Sequence, residues 1–190
     1  MYEYLTGKLT ALTPATAVID CGGVGYLTEI TLCTYSAIQQ KHEVRLWIHE
    51  VIRDDAHLLY GFFTEAERQM FRLLTGVNGV GAATARMMLS SMSVKELGDA
   101  IASQDSKSVQ RVKGVGAKTA QRIVLELQDK VTSLGAEPGK PQAALSQNKE
   151  EALGALVMLG FPKAAADKVL QSLDGSLTVE DLIKEALKRI

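Results

Sequence analysis

The first third of the chain alternates apolar and polar positions with the two-residue period of β-strands. In the stretch EVRLWIHEVI, for example, Val44, Leu46 and Ile48 fall on one face of a strand. The GGVG break and the polar stretch RDDA before HLLYGFF are turn signals, and the second predicts a hairpin. About five short strands fit into residues 1–63. A small closed barrel, an OB-fold, is therefore predicted there.

From Thr64 the apolar positions change to the period of amphipathic helices. Thr64 followed by Glu67 predicts a capping box, and Phe71 and Leu74 continue an apolar stripe behind it. Helical patterns alternate with GVG breaks as far as about Val131. Residues 64–133 are therefore predicted to form a second, all-helical domain.

The remaining residues divide into a linker and a small third domain. Residues 134–147 hold two of the four prolines and no apolar periodicity, which predicts a flexible linker. Residues 148–190 contain three short amphipathic helical patterns and are near the lower size limit of a stable domain. The predicted fold class is thus multidomain α+β. The third domain is expected to place four apolar residues in a shared core: Leu153, Leu156, Val157 and Leu159.

One short sequence occurs twice, and each copy leads into a helical pattern. GVGAATARMML begins at Gly79 and GVGAKTAQRIV begins at Gly114, an offset of 35 residues with six of the first seven letters identical. A helix N-terminus binds anions through its unpaired N–H groups and its positive dipole end. Glycines just before the helix let the backbone approach a phosphate closely. Two such loops in consecutive hairpins predict binding to a nucleic-acid backbone.

The distribution of charge supports this prediction, although the net charge of −1 does not. Residues 72–122 hold 8 Lys/Arg against 3 Asp/Glu, whereas residues 1–63 hold 4 against 7. The cations nearest the loops are Arg86, Lys113, Lys118 and Arg122. Because no base-reading device is evident, we expect recognition of backbone or shape rather than of sequence.

Other glycine-loop sites do not fit the sequence. A P-loop is excluded because Ala117 separates Gly116 from Lys118, and a dinucleotide fingerprint fails because Thr84 and Thr119 replace its third glycine. The three histidines lack metal-ligand spacing and a nucleophile partner, so we predict no catalytic residue, metal or cofactor. Without a signal peptide or an apolar run of roughly 18 residues, a cytoplasmic protein without membrane contact is expected.

Two further function classes stay open at this point. Loops of the form GVGxxTA at the start of a helix resemble helix-hairpin-helix motifs, so residues 64–133 are predicted to form a tandem helix-hairpin-helix domain. A nuclease or glycosylase with these motifs would need a catalytic carboxylate or lysine near the second hairpin, where Lys113 is the only candidate. A scaffold without DNA would use the basic stretch to bind another protein. Magnesium-dependent strand cleavage tests the first class, and gel shifts with DNA test the second.

The order of these segments closely resembles the RuvA family, the Holliday-junction-binding subunits of the bacterial RuvAB branch-migration complex. The resemblance rests on GGVGYLTEI, RDDAHLLYGFF, TGVNGVG and VKGVGAKTAQRIVLELQDK, and it is weakest in the linker. It implies a non-catalytic subunit acting in recombination, DNA repair and the SOS response. It also implies a homotetramer, or an octamer, that holds an open four-way junction. The implied partners are a RuvB-like hexameric ATPase motor and a RuvC-like resolvase.

The resemblance also assigns candidate site residues by position. Asp54 and Asp55 fall on the family's acidic pin near the fourfold axis, although from the residues alone they also fit a solvated hairpin turn. Ala83 stands where family members usually carry a lysine, and Arg86 is expected to replace it. The third domain is expected to bind the motor through Leu156, Leu159 and Phe161. Besides Arg86, the implied DNA-binding residues are Asn78, Gly79, Val80, Gly81, Gly114, Val115, Gly116, Lys118, Thr119 and Arg122.

Overall fold

The computed structural model describes residues 1–131, 144–174 and 177–189. The chain divides into two compact units, Met1–Glu137 and Pro138–Ile190. No helix among the described residues is both long enough and apolar enough to span a membrane.

The first unit begins with a closed barrel of five strands, all within the described residues 4–62, in the order β1–β2–β3–β5–β4. The predicted barrel is therefore confirmed. Val44, Leu46 and Ile48 are buried inside it, as their alternation predicts. A short helix, α1, connects β3 to β4. The bounds are β1 Tyr4–Leu12, β2 Thr16–Cys21, β3 Val24–Ile30, α1 Leu32–Ile38, β4 Glu43–Arg53 and β5 Ala56–Phe62.

Five helices follow the barrel within the described residues 65–131, and they form two hairpins. Residues 76–81 connect the helices of the first hairpin, and residues 111–116 connect those of the second. The apolar core of the hairpins continues into the barrel, where Tyr60 and Phe62 pack against Phe71. The bounds are α2 Glu65–Thr75, α3 Ala82–Ser91, α4 Val94–Ala102, α5 Ser106–Gln110 and α6 Ala117–Val131.

A buried carboxylate links the barrel to the helices. The Glu67 backbone N–H donates to Thr64 Oγ1 at 3.2 Å, but the Glu67 side chain does not return to the cap. It accepts hydrogen bonds from the hydroxyls of Thr31 and Thr34 on the barrel side instead. The predicted capping box is therefore only half formed. A complete capping box occurs at Ser93, whose partner is Glu96.

We expect the Glu67→Gln variant to gain stability relative to the wild type as the pH rises. Burial raises the pKa of Glu67 above its ordinary value of 4.5. The folded chain therefore keeps a proton that the unfolded chain has lost, and wild-type stability falls with rising pH in this window. Glutamine does not titrate, so the difference in unfolding free energy should grow by at most about 1.4 kcal/mol per pH unit.

Urea unfolding followed by the fluorescence of Trp47, the single tryptophan, measures this difference from about pH 4.5 upward. Glu96→Gln serves as a control, because hydrogen bonds from Ser93 lower the pKa of Glu96. Its contribution to stability is lost as the pH falls, which is the opposite trend. A difference between the Glu67→Gln variant and the wild type that does not change with pH would contradict the prediction.

The second unit consists, in its described residues, of helices around a core that includes Ala152, Leu156 and Leu170. Its first helix begins at Ala144, inside the range predicted as linker, and residues 134–143 of that linker lie outside the described residues. The expected four-residue core is wrong for Val157 and Leu159, which are 42% and 63% exposed. The bounds are α7 Ala144–Met158, α8 Lys163–Gln171 and α9 Val179–Leu187.

Candidate nucleic-acid interface

The two repeated loops have almost the same backbone conformation. The φ angle is +92° at Gly79 and +91° at Gly114. This left-handed region is accessible to glycine and strained for residues with a Cβ atom. Both glycines are therefore required by the shape of the loop itself. The sequence repeat is thus a repeat of structure.

Each loop is closed by a valine on either side of this glycine. The Val80 N–H donates to the Val77 carbonyl oxygen at 3.0 Å, and the Val115 N–H donates to the Val112 carbonyl oxygen at 3.1 Å. All four side chains are buried in the helical core. The side chains of Val80 and Val115 are therefore not available to DNA, and these residues can contribute only through their backbone and the loop shape that they fix.

Both loops present unpaired amides at the start of a helix. In the first loop the amide of Ala85 is the first to bond back, to the carbonyl oxygen of Gly81. In the second loop the amide of Ala120 does the same with Gly116. No acceptor within the described residues contacts the four amides from Gly81 to Thr84, or the four from Gly116 to Thr119. A methyl group at Gly81 or Gly116 would meet nothing within 4 Å, so both sites are open to an anion.

The side chains around the two loops differ strongly in charge. The second loop carries Lys113, Lys118 and Arg122, whereas the positions 35 residues earlier hold Asn78, Ala83 and Met87. Lys113 and Lys118 are exposed. Lys113 is expected from the sequence to add attraction near the loop, but it is not among the residues that the resemblance assigns to DNA, although its repeat partner Asn78 is. The 35-residue offset was the signal that could have found it.

Arg86 does not lie with the other cations. Its Nη1 atom is 3.1 Å from Glu29 Oε2 and donates to the Ala15 carbonyl oxygen at 3.2 Å, so the side chain points to the barrel. The expected replacement of the missing lysine at Ala83 therefore finds no support in the structure. We leave Arg86 out of the phosphate-binding residues proposed below.

Helix α6 brings residues of the second hairpin against the first loop. Arg122 Nη1 donates to the Asn78 carbonyl oxygen at 3.2 Å, and Arg122 Nε is 3.7 Å from Glu126 Oε1. A methyl group at Gly79 would lie 3.9 Å from Thr119 Oγ1. The two loops therefore belong to one continuous surface.

Asp54 and Asp55 form the exposed tip of the β4–β5 hairpin, since the strand register pairs Arg53 with Ala56. Lower in this hairpin, the His57 Nε2 and Glu50 Oε1 atoms are 2.6 Å apart. The hydrogen bond with His57 lowers the pKa of Glu50. Neither Asp54 nor Asp55 forms an ion pair with a cation among the described residues.

The described residues contain no group of three or more His, Cys, Asp or Glu side chains that could hold a metal ion. His49 packs edge-on against Phe71, with 5.2 Å between the ring centroids. Burial lowers the pKa of His49, which fits a packing role.

The second unit has an exposed apolar surface at the end of α7. Met158 and Leu159 are 91% and 63% exposed, and Leu187 on α9 is also exposed. Leu156 is fully buried in the core of this unit, and Phe161 packs partly against that core. The expectation that Leu156 binds a partner is therefore wrong, because its side chain already fills the core. Met158 and Leu187 are better candidates.

Three family models match the chain in the order of its segments. Residues 1–61 match the model described as RuvA N terminal domain. Residues 71–129, which include both loops, match the SAM-like Helix-hairpin-helix tandem. Residues 147–190 match the model described as RuvA, C-terminal domain.

Curated proteins of similar sequence align with the chain over its whole length. The identity is 46% over 201 residues for a protein of Bacteroides thetaiotaomicron and 46% over 202 residues for one of Porphyromonas gingivalis. It is 47% over 196 residues for a protein of Parabacteroides distasonis. Each alignment covers 100% of both chains, and each protein is named Holliday junction branch migration complex subunit RuvA.

Proposed function

Because the chain belongs to the RuvA family, we propose that it binds four-way DNA junctions as the junction-binding subunit of a branch-migration complex. In this role it takes part in recombination and DNA repair in the cytoplasm. The observation that carries the proposal is the pair of matching glycine loops, each presenting unpaired helix amides on one surface.

The chemistry of the loops fits the sugar-phosphate backbone. Amides at a helix N-terminus bind phosphate oxygens whatever the base sequence of the DNA. Exposed lysines add an attraction that weakens as the salt concentration rises. The proposed contacts are therefore the backbone of residues 78–81 and 114–116, with Lys113, Lys118, Thr119 and Arg122 beside them. Such contacts position a duplex arm without reading its bases.

Selectivity for junctions is proposed to come from assembly into a tetramer. A fourfold arrangement built through the barrels would give each duplex arm one pair of loops. It would also bring the acidic tips, Asp54 and Asp55, together at the axis, where the strands cross. An open junction leaves that centre free, whereas a continuous duplex must cross it.

Competition between DNA forms tests this proposal. A fluorescent four-way junction is displaced by unlabelled junction or by linear duplex of the same length, at a fixed salt concentration. We expect the junction to compete at least about tenfold better, which corresponds to about 1.4 kcal/mol. Equal competition would contradict structure-selective binding. Cleavage of the labelled strand in magnesium would instead favour the nuclease alternative.

We further propose that the second unit holds an ATP-driven motor, so that the chain is a non-catalytic subunit of the complex. The support is the exposure of three large apolar side chains in this unit, Met158, Leu159 and Leu187, because exposed apolar side chains can bind a partner protein.

Leu159→Asp should therefore abolish stimulation of the motor while junction affinity stays within about twofold of the wild type. The aspartate removes an apolar contact from the proposed interface. Because position 159 is exposed, the substitution should not disturb the core of the unit. The measurement is ATP-dependent branch migration with the RuvB-like partner from the same cell. Leu170→Asp is the contrasting variant, because Leu170 is buried and its replacement should unfold the unit. Residues 1–133 alone give the reference for complete loss, and full stimulation by Leu159→Asp would show that the motor binds elsewhere.

A further inference from the structure

We propose that Arg122 serves both loops at once, as a positioning residue that fixes the first loop and as the cation that the first loop lacks. This inference rests on the proposed DNA-binding function and assigns the division of labour within it. The structural basis is that a side chain of the second hairpin is hydrogen-bonded to the backbone of the first.

The first argument is the hydrogen bond itself. Arg122 Nη1 donates to the carbonyl oxygen of Asn78, which immediately precedes Gly79 in the first loop. A hydrogen bond from a charged donor is stronger than one between neutral groups. It holds the first helix N-terminus at a set distance from α6, the helix that begins at the second loop. Besides the shared apolar core, one side chain therefore helps to fix the spacing of the two phosphate sites.

The second argument is the shortage of charge at the first loop. Its three positions equivalent to the second loop's cations are uncharged, and Arg86 is directed to Glu29 on the barrel. Arg122 is the cation that contacts this loop among the described residues. Without it, the first loop would hold a phosphate through backbone amides alone.

The third argument is the shape of the guanidinium group. It carries five N–H donors in a planar fork, so it can bond to two acceptors in fixed directions. Nη1 is used by Asn78 and Nε faces Glu126, while no acceptor contacts Nη2 within the described residues. The side chain is 50% exposed. Nη2 is therefore available to a phosphate that lies on the first loop.

The repeat itself supplies the test variants, because each cation can be changed to the residue that the first loop carries. Arg122→Met copies Met87, and Lys118→Ala copies Ala83 as the matched control. Ala83 and Met87 are both exposed on helix α3. Each substitution therefore introduces a side chain that the equivalent position of the first hairpin already carries. Circular dichroism melts verify that both variants fold like the wild type.

The measurement identifies which DNA phosphates the protein needs for binding. Four-way junctions are made with a neutral methylphosphonate at one distance from the crossover in all four arms, and each distance is tested in turn. The wild type should lose affinity at two groups of positions, one for each loop. For Lys118→Ala, methylphosphonates should change the junction affinity by less than about twofold in one of the two groups and should keep their effect in the other. For Arg122→Met, methylphosphonates should change the junction affinity by less than about twofold in both groups.

Arg122→Lys separates charge from geometry. Lysine keeps the charge but presents a single nitrogen in place of the fork. We expect it to restore sensitivity at the second loop's phosphates and not at the first loop's. A structural role alone would not produce a selective loss of this kind.

The outcomes distinguish the two levels of the proposal. If Arg122→Met keeps the wild-type sensitivity at either group of phosphates, the dual role is wrong while junction binding stands. If Arg122→Lys restores both groups, charge alone suffices and the positioning role is wrong. If the wild type shows no sensitive phosphates, the proposed DNA-binding surface itself is wrong.

Discussion

Replacing Gly114 with valine should weaken junction binding about tenfold to a hundredfold while the barrel stays folded. The reason is the φ angle of +91°, which a β-branched residue adopts only at a cost of about 1–3 kcal/mol. The variant loop should relax to another conformation and turn its helix amides away from the phosphate. Gly79→Val should behave in the same way, since its φ angle is +92°.

Two control variants separate strain from steric blocking. Gly160→Val introduces the same strain at a φ angle of +98°, but in the second unit, so it should leave junction affinity unchanged. Gly116→Ala adds a methyl group that meets nothing in the free chain, so it should fold normally and weaken binding only by obstructing the anion. Affinity is measured by fluorescence anisotropy on a four-way junction. Wild-type affinity of Gly114→Val would mean that the loop does not touch DNA.

The second large effect is expected from Asp54→Asn combined with Asp55→Asn. These carboxylates are exposed at a hairpin tip and repel phosphates that approach it. In the proposed tetramer their repulsion acts mainly on a duplex that crosses the centre. The double variant should therefore bind linear duplex about tenfold more tightly, with a much smaller gain for the junction. It should also alter the rate of branch migration, because the tips would help to keep strands apart.

The control matches the change in net charge at a distance from the tip. Glu151→Gln with Glu180→Gln removes two carboxylates from the exposed surface of the second unit and should leave the junction-to-duplex ratio unchanged. The effect at the tip should shrink in about 1 M salt, where the Debye length falls to about 3 Å. If the Asp54/Asp55 variant keeps the wild-type ratio at low salt, the two residues are only a solvated turn.

The features that could be predicted from the sequence are those written in local patterns. The alternation at Val44, Leu46 and Ile48 gave the barrel strand its inner face, and the repeated GVG gave both loops. Each of these depends on residues close together in the chain, where strand and helix periods act directly.

The features that could not be predicted depend on partners far away in the chain. Arg86 points to Glu29 rather than to DNA, and the side chain of Glu67 accepts a hydrogen bond from Thr31 rather than from the backbone of its own helix cap. Leu156 and Leu159 are both apolar, yet only the first is buried, because the face of α7 that packs is set by α8 and α9. Charge and hydrophobicity reveal that a residue needs a partner, but only the fold selects which one.

Strand β5 has a mechanical consequence for the proposed function, in which the protein holds moving DNA and a motor. It starts at Ala56, next to the acidic tip, and ends at Phe62, which packs against Phe71 with 4.9 Å between the ring centroids. Strand β5 is hydrogen-bonded to β4 along its length and to β3 near Tyr60 and Gly61, and this pairing makes it resist bending. It therefore forms a stiff connection between the tip and the helix that leads to the first loop. In the proposed complex, the acidic tip and the loops that hold the DNA arms would therefore keep a nearly constant distance within each subunit.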